Sequence, residues 1–170
     1  MNNSDDLLGV TLQQWENKAF DAIQRIFPCE LDLMDKIPLD AIIDTFKSEI
    51  IPKKAPFLVR LAGQSGSGKS SQLFPALEYA LKDKTYIAIT VGRFASFHPK
   101  YTEWQKNCPE LMREKTNGFA LRALVLFYRY CIENRCNIVL DMTLLEPEID
   151  MYLMILAKKM GYKIEEVTNH

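Results

Sequence analysis

A basic excess is missing from this chain. Its 21 Lys and Arg face 22 Asp and Glu, a formal net charge of −1, so it lacks the cationic surplus with which a general nucleic-acid binder displaces counterions from phosphates. The basic pair Lys53-Lys54 is too short for a patch and reads as a solvated linker. Ligands for zinc are scarce as well. There are two histidines, His98 and His170, and four widely spaced cysteines, Cys29, Cys108, Cys131 and Cys136, with no CxxC pair among them, which excludes a zinc set. Cys131 falls within an apolar helical pattern and reads as a buried, reduced thiol. Residues 1–10 carry neither a basic start nor a long apolar stretch, and no later run is long enough to span a bilayer. The expectation is a cytoplasmic chain with no membrane and no nucleic-acid partner. Repeats and low-complexity segments are absent too. What remains is 170 residues, 48% of them apolar, enough for one domain with a substantial core.

Against these absences stands one complete motif. Gly63-Gln64-Ser65-Gly66-Ser67-Gly68-Lys69-Ser70 is a GxxxxGK[ST] string. The apolar run Phe57–Ala62 before it predicts a buried parallel strand. After it, Leu73, Ala76, Leu77, Ala80 and Leu81 lie on one face of a predicted helix from Ser70 to Leu81. Strand, glycine loop and helix in this order make a phosphate cradle. The glycines let successive N–H groups converge at the positive end of a helix. Lys69 then reaches the β- and γ-phosphates, the Ser70 hydroxyl ligates Mg²⁺, and Ser71 closes the nucleotide-binding stretch. A nucleoside triphosphate with Mg²⁺ is the expected ligand.

The rest of the chain predicts an α/β fold: a P-loop NTPase-type parallel sheet flanked by helices, behind an N-terminal helical prefix. A first helix is expected from Thr11 to Phe27, since Thr11 and Gln14 have capping-box spacing and Leu12, Trp15, Ala19, Ile23 and Ile26 make a stripe. A second begins near Pro38 with Leu39, Ile42, Ile43, Phe46 and Ile50. Two such helices bury too little alone, so residues 1–50 read as a prefix lying against a nucleotide-binding domain over 57–170, joined by the stiff Ile51–Pro56 linker. Strands follow at Thr85–Val91, Asn137–Asp141 and Tyr162–Val167, with helices over Pro109–Asn134 and Pro147–Met160. Asn117-Gly118 is a candidate break in the first of these. Alternating strands and helices with right-handed crossovers place ligands at the carboxyl ends of the strands. The third strand ends in Asp141, which has the character of a Walker B aspartate facing the P-loop metal, so Asp141 joins Lys69 as a candidate catalytic residue and Ser70 as a candidate metal ligand.

Three blocks together bring a family into view. Thr90-Val91-Gly92-Arg93-Phe94-Ala95-Ser96-Phe97-His98-Pro99-Lys100-Tyr101 resembles the zeta toxin family of bacterial toxin–antitoxin kinases, in which a strand ends in Asp-x-Phe-[Arg/Lys] and His-Pro-x-Tyr/Phe follows. Leu61–Ser70 is similar to that family's P-loop, including the glutamine after the first glycine. Asn137-Ile138-Val139-Leu140-Asp141-Met142-Thr143 resembles its apolar strand with Glu-Gly-Thr, and Lys159-Met160-Gly161-Tyr162 its later lysine-glycine-tyrosine. The resemblance covers residues 57–167. It implies an ATP-dependent kinase acting on a nucleotide sugar, UDP-N-acetylglucosamine, and held inactive by a small helical antitoxin protein. It also implies that His98, Tyr101 and Thr143 meet the substrate, and that an aspartate after the second strand accepts the sugar hydroxyl proton.

This chain departs from the pattern. Gly92 stands where the family has that aspartate, Ala95 where it has arginine or lysine, and Leu145 where arginine is common. The chain ends at His170, short of the family's further helices and arginines. Two readings therefore stand side by side: a zeta-toxin-like kinase of weak or lost activity, and a degenerate module that binds nucleotide and an antitoxin-like partner without transfer. An unrelated ATPase or GTPase is disfavoured, since no NKxD guanine motif and no arginine-finger segment occur. Other residues keep two readings each. His98 contacts substrate or caps the loop before Pro99; Tyr101 and Trp104 wall a sugar or base, or Trp104 belongs to the core. Arg93 meets phosphate or solvent, and Arg122 is expected to project into the cleft.

Overall fold

The computed structural model of the protein describes residues 9–28, 37–62, 74–82 and 84–168. Helix α1, Leu12–Ile26, begins as its sequence dictates. Thr11 Oγ1 accepts from Gln14 N at 3.1 Å, and the Gln14 side chain accepts from Thr11 N at 2.8 Å. This satisfies two donors that a helix start otherwise leaves open. A short helix α2, Leu39–Thr45, runs into a 3-10 turn over Lys47–Glu49. Next come β1, Phe57–Ala62, helix α3, Phe74–Ala80, and β2, Ile87–Ile89. Two 3-10 turns lead to α4, Tyr101–Asn107, and a third to the long α5, Met112–Glu133. The chain then forms β3, Ile138–Asp141, helix α6, Pro147–Lys159, and β4, Lys163–Thr168.

All four strands are parallel, in the order β2-β3-β1-β4. Helices lie on both faces, the α/β arrangement of P-loop NTPases. Strand alternation splits the core in two. Leu58, Ile138, Leu140, Ile87 and Ile89 face the large core with α1, α2, α5 and α6, whereas Val59, Leu61 and Val139 face Leu77 and Leu81. Ala19, Ala22 and Ile23 of α1 are fully buried in the large core, as is Ile42 of α2. The Ile51–Pro56 segment is tied to the turn after α5. Pro52 bridges to Cys136, Lys53 N donates to Arg135 O, and Arg135 donates to Lys54 O.

Several local expectations change. The helix over 112–133 passes through Asn117-Gly118 unbroken, because Gly118 serves packing. A Cβ there would stand 3.0 Å from the Cβ and the carbonyl oxygen of Phe27, and 3.0 Å from Arg122 Nη1. Arg122 does not project into a cleft. It is buried, with its guanidinium donating to Gly118 O, to Phe27 O at the end of α1, and to the Gln24 side chain. A cation at a helix carboxyl end is favourably placed against the helix dipole. Strand β2 is shorter than its apolar run, since the chain coils into a 3-10 turn from Val91. The stretch Tyr101–Asn107 is a helix that periodicity does not reveal.

The β1 strand hides a charge inside its apolar run. Arg60 is 6% exposed and donates to both Asp150 oxygens, at 2.6 and 2.5 Å, and to Glu166 at 3.5 Å. Among the described residues its Nε finds no partner.

Two outcomes follow from this packing. Gly118→Ala should lower unfolding free energy by about 1–2 kcal/mol, overpacking outweighing the gain in helix propensity; urea denaturation giving equal or higher stability would show that the end of α1 yields freely. Strand β4 pairs on one side only within the described sheet and has four exposed residues of six. Amides of Lys163–Val167 should therefore exchange faster than those of Leu58–Leu61, which lie in the centre. Equal protection by hydrogen-exchange mass spectrometry would rule out an open β4 edge.

Candidate functional site at the strand carboxyl ends

Parallel pairing brings the carboxyl ends of β1, β2 and β3 to one rim. Asp141 is the register partner of Leu61, and Met142 N donates to Leu61 O at 3.1 Å. The glycine string starts two residues beyond Leu61. Gly63, Gln64, Ser65, Gly66, Ser67, Gly68, Lys69, Ser70 and Ser71 lie outside the described residues. On the other side, Ile89 pairs with Leu140. Thr90 thus leaves β2 beside Asp141. The exits of β1 and β2 flank one carboxylate.

That carboxylate is held in place locally. Asp141 Oδ1 accepts from Thr143 N at 2.9 Å and from Thr143 Oγ1 at 2.7 Å, so the two residues form one unit. Leu145 N donates to Met142 O at 3.1 Å, closing a turn whose third residue, Leu144, has φ of +70°. This fits a type II turn, where that position normally holds glycine. A branched side chain in the left-handed region is strained by about 1–2 kcal/mol. Leu144 is 39% exposed, so little burial offsets the strain. Among the described residues no three His, Cys, Asp or Glu side chains cluster as metal ligands. Asp141 supplies one hard oxygen donor.

Beyond β2 the backbone turns away from the sheet. At Gly92 a Cβ would meet nothing within 4 Å among the described residues, and its φ is not in the left-handed region. Nothing in the backbone demands glycine there. Arg93 is not simply solvated, its side chain being 31% exposed. It folds back to donate to Ala88 O at 2.7 Å and to Glu49 at 2.8 and 3.2 Å, and lies 4.3 Å over the Phe46 ring. It thereby covers a carbonyl on the outer edge of β2.

His98 and Tyr101 ride on the segment that follows. His98 is buried, with Nδ1 accepting from Lys100 N at 3.0 Å, a ring contact to Trp104 at 4.4 Å and an edge contact to Phe119 at 4.9 Å. Burial, then the Lys100 charge, push its pKa down. A neutral imidazole is what an accepting Nδ1 requires. Through that atom His98 caps the loop. Tyr101 opens α4 and is partly exposed, its N donating to His98 O at 3.0 Å. Trp104 is also partly exposed and lies under Lys115 at 5.1 Å. The structure therefore brings Asp141 and Thr143 together, and sets His98 and Tyr101 on a separate loop packed against α5.

A groove of about 460 Å³ between α1, α5 and α6 lacks this convergence. Its Arg129 is spent on Glu16 at 2.7 Å and Glu133 at 3.3 Å. Sequence reasoning passed over the Arg60–Asp150 pair and the Glu49–Arg93 pair; for the first, an arginine inside an apolar strand was the available signal. Among the described residues no helix is long and apolar enough to cross a membrane.

No curated protein matches the chain. A solved structure from the PezAT chromosomal toxin–antitoxin system of Streptococcus pneumoniae superposes with a TM-score of 0.68 at 23% identity. It covers 86% of this chain, and the chain spans 58% of that one. At that identity the likeness speaks for the fold. The family described as Zeta toxin matches residues 40–167, from α2 to the end of β4 and through every element of the rim. The chain belongs to the zeta toxin family.

Proposed function

We propose that the chain is an ATP-binding, zeta-toxin-like kinase module that takes a UDP-sugar such as UDP-N-acetylglucosamine as acceptor and an antitoxin protein as partner. The observation that carries this is the sequence string Gly63–Ser70 directly after β1, with Asp141 in register beside the last residues of that strand. In this reading Gly63–Ser71 cradle the phosphates, and Lys69 reaches the β- and γ-oxygens. The Ser70 hydroxyl and the Asp141 carboxylate are a donor set that suits Mg²⁺, a hard ion held by few protein oxygens plus phosphates. When bound, that ion offsets charge on the transferring phosphoryl group. Thr143 fixes the rotation of the Asp141 carboxylate through its two hydrogen bonds. The loop from Thr90 to Tyr101, which carries His98, presents the acceptor. Reduced Cys108, Cys131 and Cys136 fit a cytoplasmic setting.

A second reading, a nucleotide-binding module without transfer, rests on Gly92. No side chain there accepts the hydroxyl proton, and a positioned base contributes roughly 10²–10⁴-fold in rate. Asp141 is a poor substitute if its lone pairs serve the metal.

Mg·ATP should stabilise the native state by about 2.7 kcal/mol at a hundredfold excess over Kd. Lys69→Ala should remove most of the rise in Tm, because it deletes the one side-chain cation in the motif. An unchanged shift in that variant would sink the phosphate-cradle assignment. Transfer from ATP to UDP-N-acetylglucosamine should be very weak in the native chain. Gly92→Asp should raise it without loss of Tm, since a Cβ at Gly92 enters open space. Detection of the phosphorylated sugar by mass spectrometry checks this, and robust turnover by the unmodified chain would reject the lost-base account.

A further inference from the structure

The rim contains a strained turn, and both of its flanks are held by neighbouring residues of one strand. Leu61 O accepts from Met142 N, which anchors the start of the 142–145 turn. Arg60, one residue earlier on β1, holds Asp150 in the first turn of α6, the helix into which the 142–145 turn runs. The Arg60 side chain is 7% exposed and that of Asp150 22%. Glu166 of β4, the register partner of Arg60, adds a longer contact at 3.5 Å. β1, α6 and β4 thus meet on one guanidinium, three residues before the glycine string.

Stability does not explain this arrangement. A buried ion pair loses much of its Coulomb gain to desolvation, and apolar side chains of similar volume commonly serve stability as well or better. Here the pair carries a further cost, since Arg60 Nε is buried with no partner among the described residues. What an arginine offers instead is geometry, because one planar guanidinium sets Nη2 against both Asp150 oxygens and Nη1 toward Glu166, tying α6 and β4 to β1 at fixed angles. The element it fixes is the start of α6. Leu144 at φ +70° lies in the turn that leads into α6, and strain of this kind persists only where its surroundings over-determine it.

We infer that Arg60 and Asp150 are positioning residues that lock α6 to β1, and so hold the Asp141–Thr143 turn at the carboxyl end of β1 for metal-assisted nucleotide binding. Neither residue touches the nucleotide in this scheme; they act through Asp141. The inference rests on the nucleotide-binding reading above and deepens it.

The test separates metal-dependent from metal-free binding. ATP affinity of the full chain is measured by calorimetry with Mg²⁺ and with EDTA, alongside Tm. The native chain should bind ATP more tightly with Mg²⁺. The paired variant Arg60→Met/Asp150→Leu should keep its Tm and its affinity in EDTA, and lose about tenfold of the tightening by Mg²⁺. Arg60→Lys keeps the charge but not the planar guanidinium, and serves if the apolar pair fails to fold; it should lose part of the same tightening. A general loss of packing would weaken both affinities equally and overturn the inference. So would full Mg²⁺ tightening in the apolar pair or, where that does not fold, in Arg60→Lys. If the native chain shows no ATP binding that Lys69→Ala abolishes, the nucleotide reading falls and this one with it; binding sensitive to Lys69→Ala but indifferent to the clamp overturns the clamp alone.

Discussion

Parallel pairing of β1 with both β3 and β4 is the constraint from which the rest follows. A parallel strand cannot be reached by a tight turn, so the chain must return to the starting end of the sheet through a crossover before each new strand. Every strand exit therefore lies on one rim and every entry on the other. That places the end of β1, Asp141 and the Gly92 loop together although they are far apart in sequence. It also gathers the entries. Asn137 serves there as a staple, its side chain accepting from Phe57 N at 2.9 Å and donating to Thr85 O at 3.0 Å, so the starts of β1, β2 and β3 are held at one level. Register at the entry rim fixes register at the exit rim, where chemistry needs it.

The helices fit around this sheet by making α5 apolar on nearly every side. From Phe119 to Val125 all its residues are buried, Arg122 included. A helix so placed must be covered by others, and α1 supplies part of the cover. Its carboxyl end approaches α5 at Gly118, and the Phe27 carbonyl there accepts from Arg122. The end of α5 is closed by side chains and backbone together: Asn134 Nδ2 donates to Tyr130 O at 2.8 Å, and the Tyr162 hydroxyl reaches Cys131 O at 3.3 Å. Cys136 N donates to Cys131 O and Arg135 N to Ile132 O, with Arg135 at φ +57°, a Schellman cap at a position usually taken by glycine. Arg135 accepts that conformation while its side chain donates to Met160 O and Lys54 O. Two charged side chains, Arg122 and Arg135, thus satisfy helix-end and loop carbonyls that burial would otherwise leave open.

Much of this was legible in the sequence because it depends on local rules. Apolar runs marked β1 and β3, and β2 in part. Thr11 and Gln14 marked the start of α1, and Gly161, at φ +77°, follows α6 as a helix-stopping glycine should. What escaped depends on partners distant in the chain. Arg60 reads as an interruption of an apolar strand until Asp150, 90 residues later, supplies its counter-charge. Arg93 reads as a loop cation until Glu49 comes from the preceding helical segment to meet it. Gly118 reads as a breaker because its neighbour in space, Phe27, lies far away in sequence. The segment from Val91 to Leu111 is mostly 3-10 turns and one short helix, whose patterns are too brief for periodicity to register. Its anchor is the Phe46, Phe94, Phe97 and Phe127 ring cluster, assembled from three separate parts of the chain.

The two glycine-related anomalies of the rim point in opposite directions. At Leu144 a bulky residue occupies backbone that suits glycine, and at Gly92 a glycine occupies backbone that would suit any residue. The first holds strain, which the fold sustains through β1 and α6. The second holds none, so selection for folding gives no reason to keep Gly92, and adding a side chain there threatens no packing. On the proposed function, the site keeps a costly scaffold for binding while Gly92 withholds a group that transfer would use. In that reading, scaffold strain and the bare position at Gly92 are separate properties: the first would bear on how tightly the rim holds phosphate and metal, the second on what would happen to the phosphoryl group once held. Binding and turnover should therefore be separable in this chain by substitutions that lie on different strands.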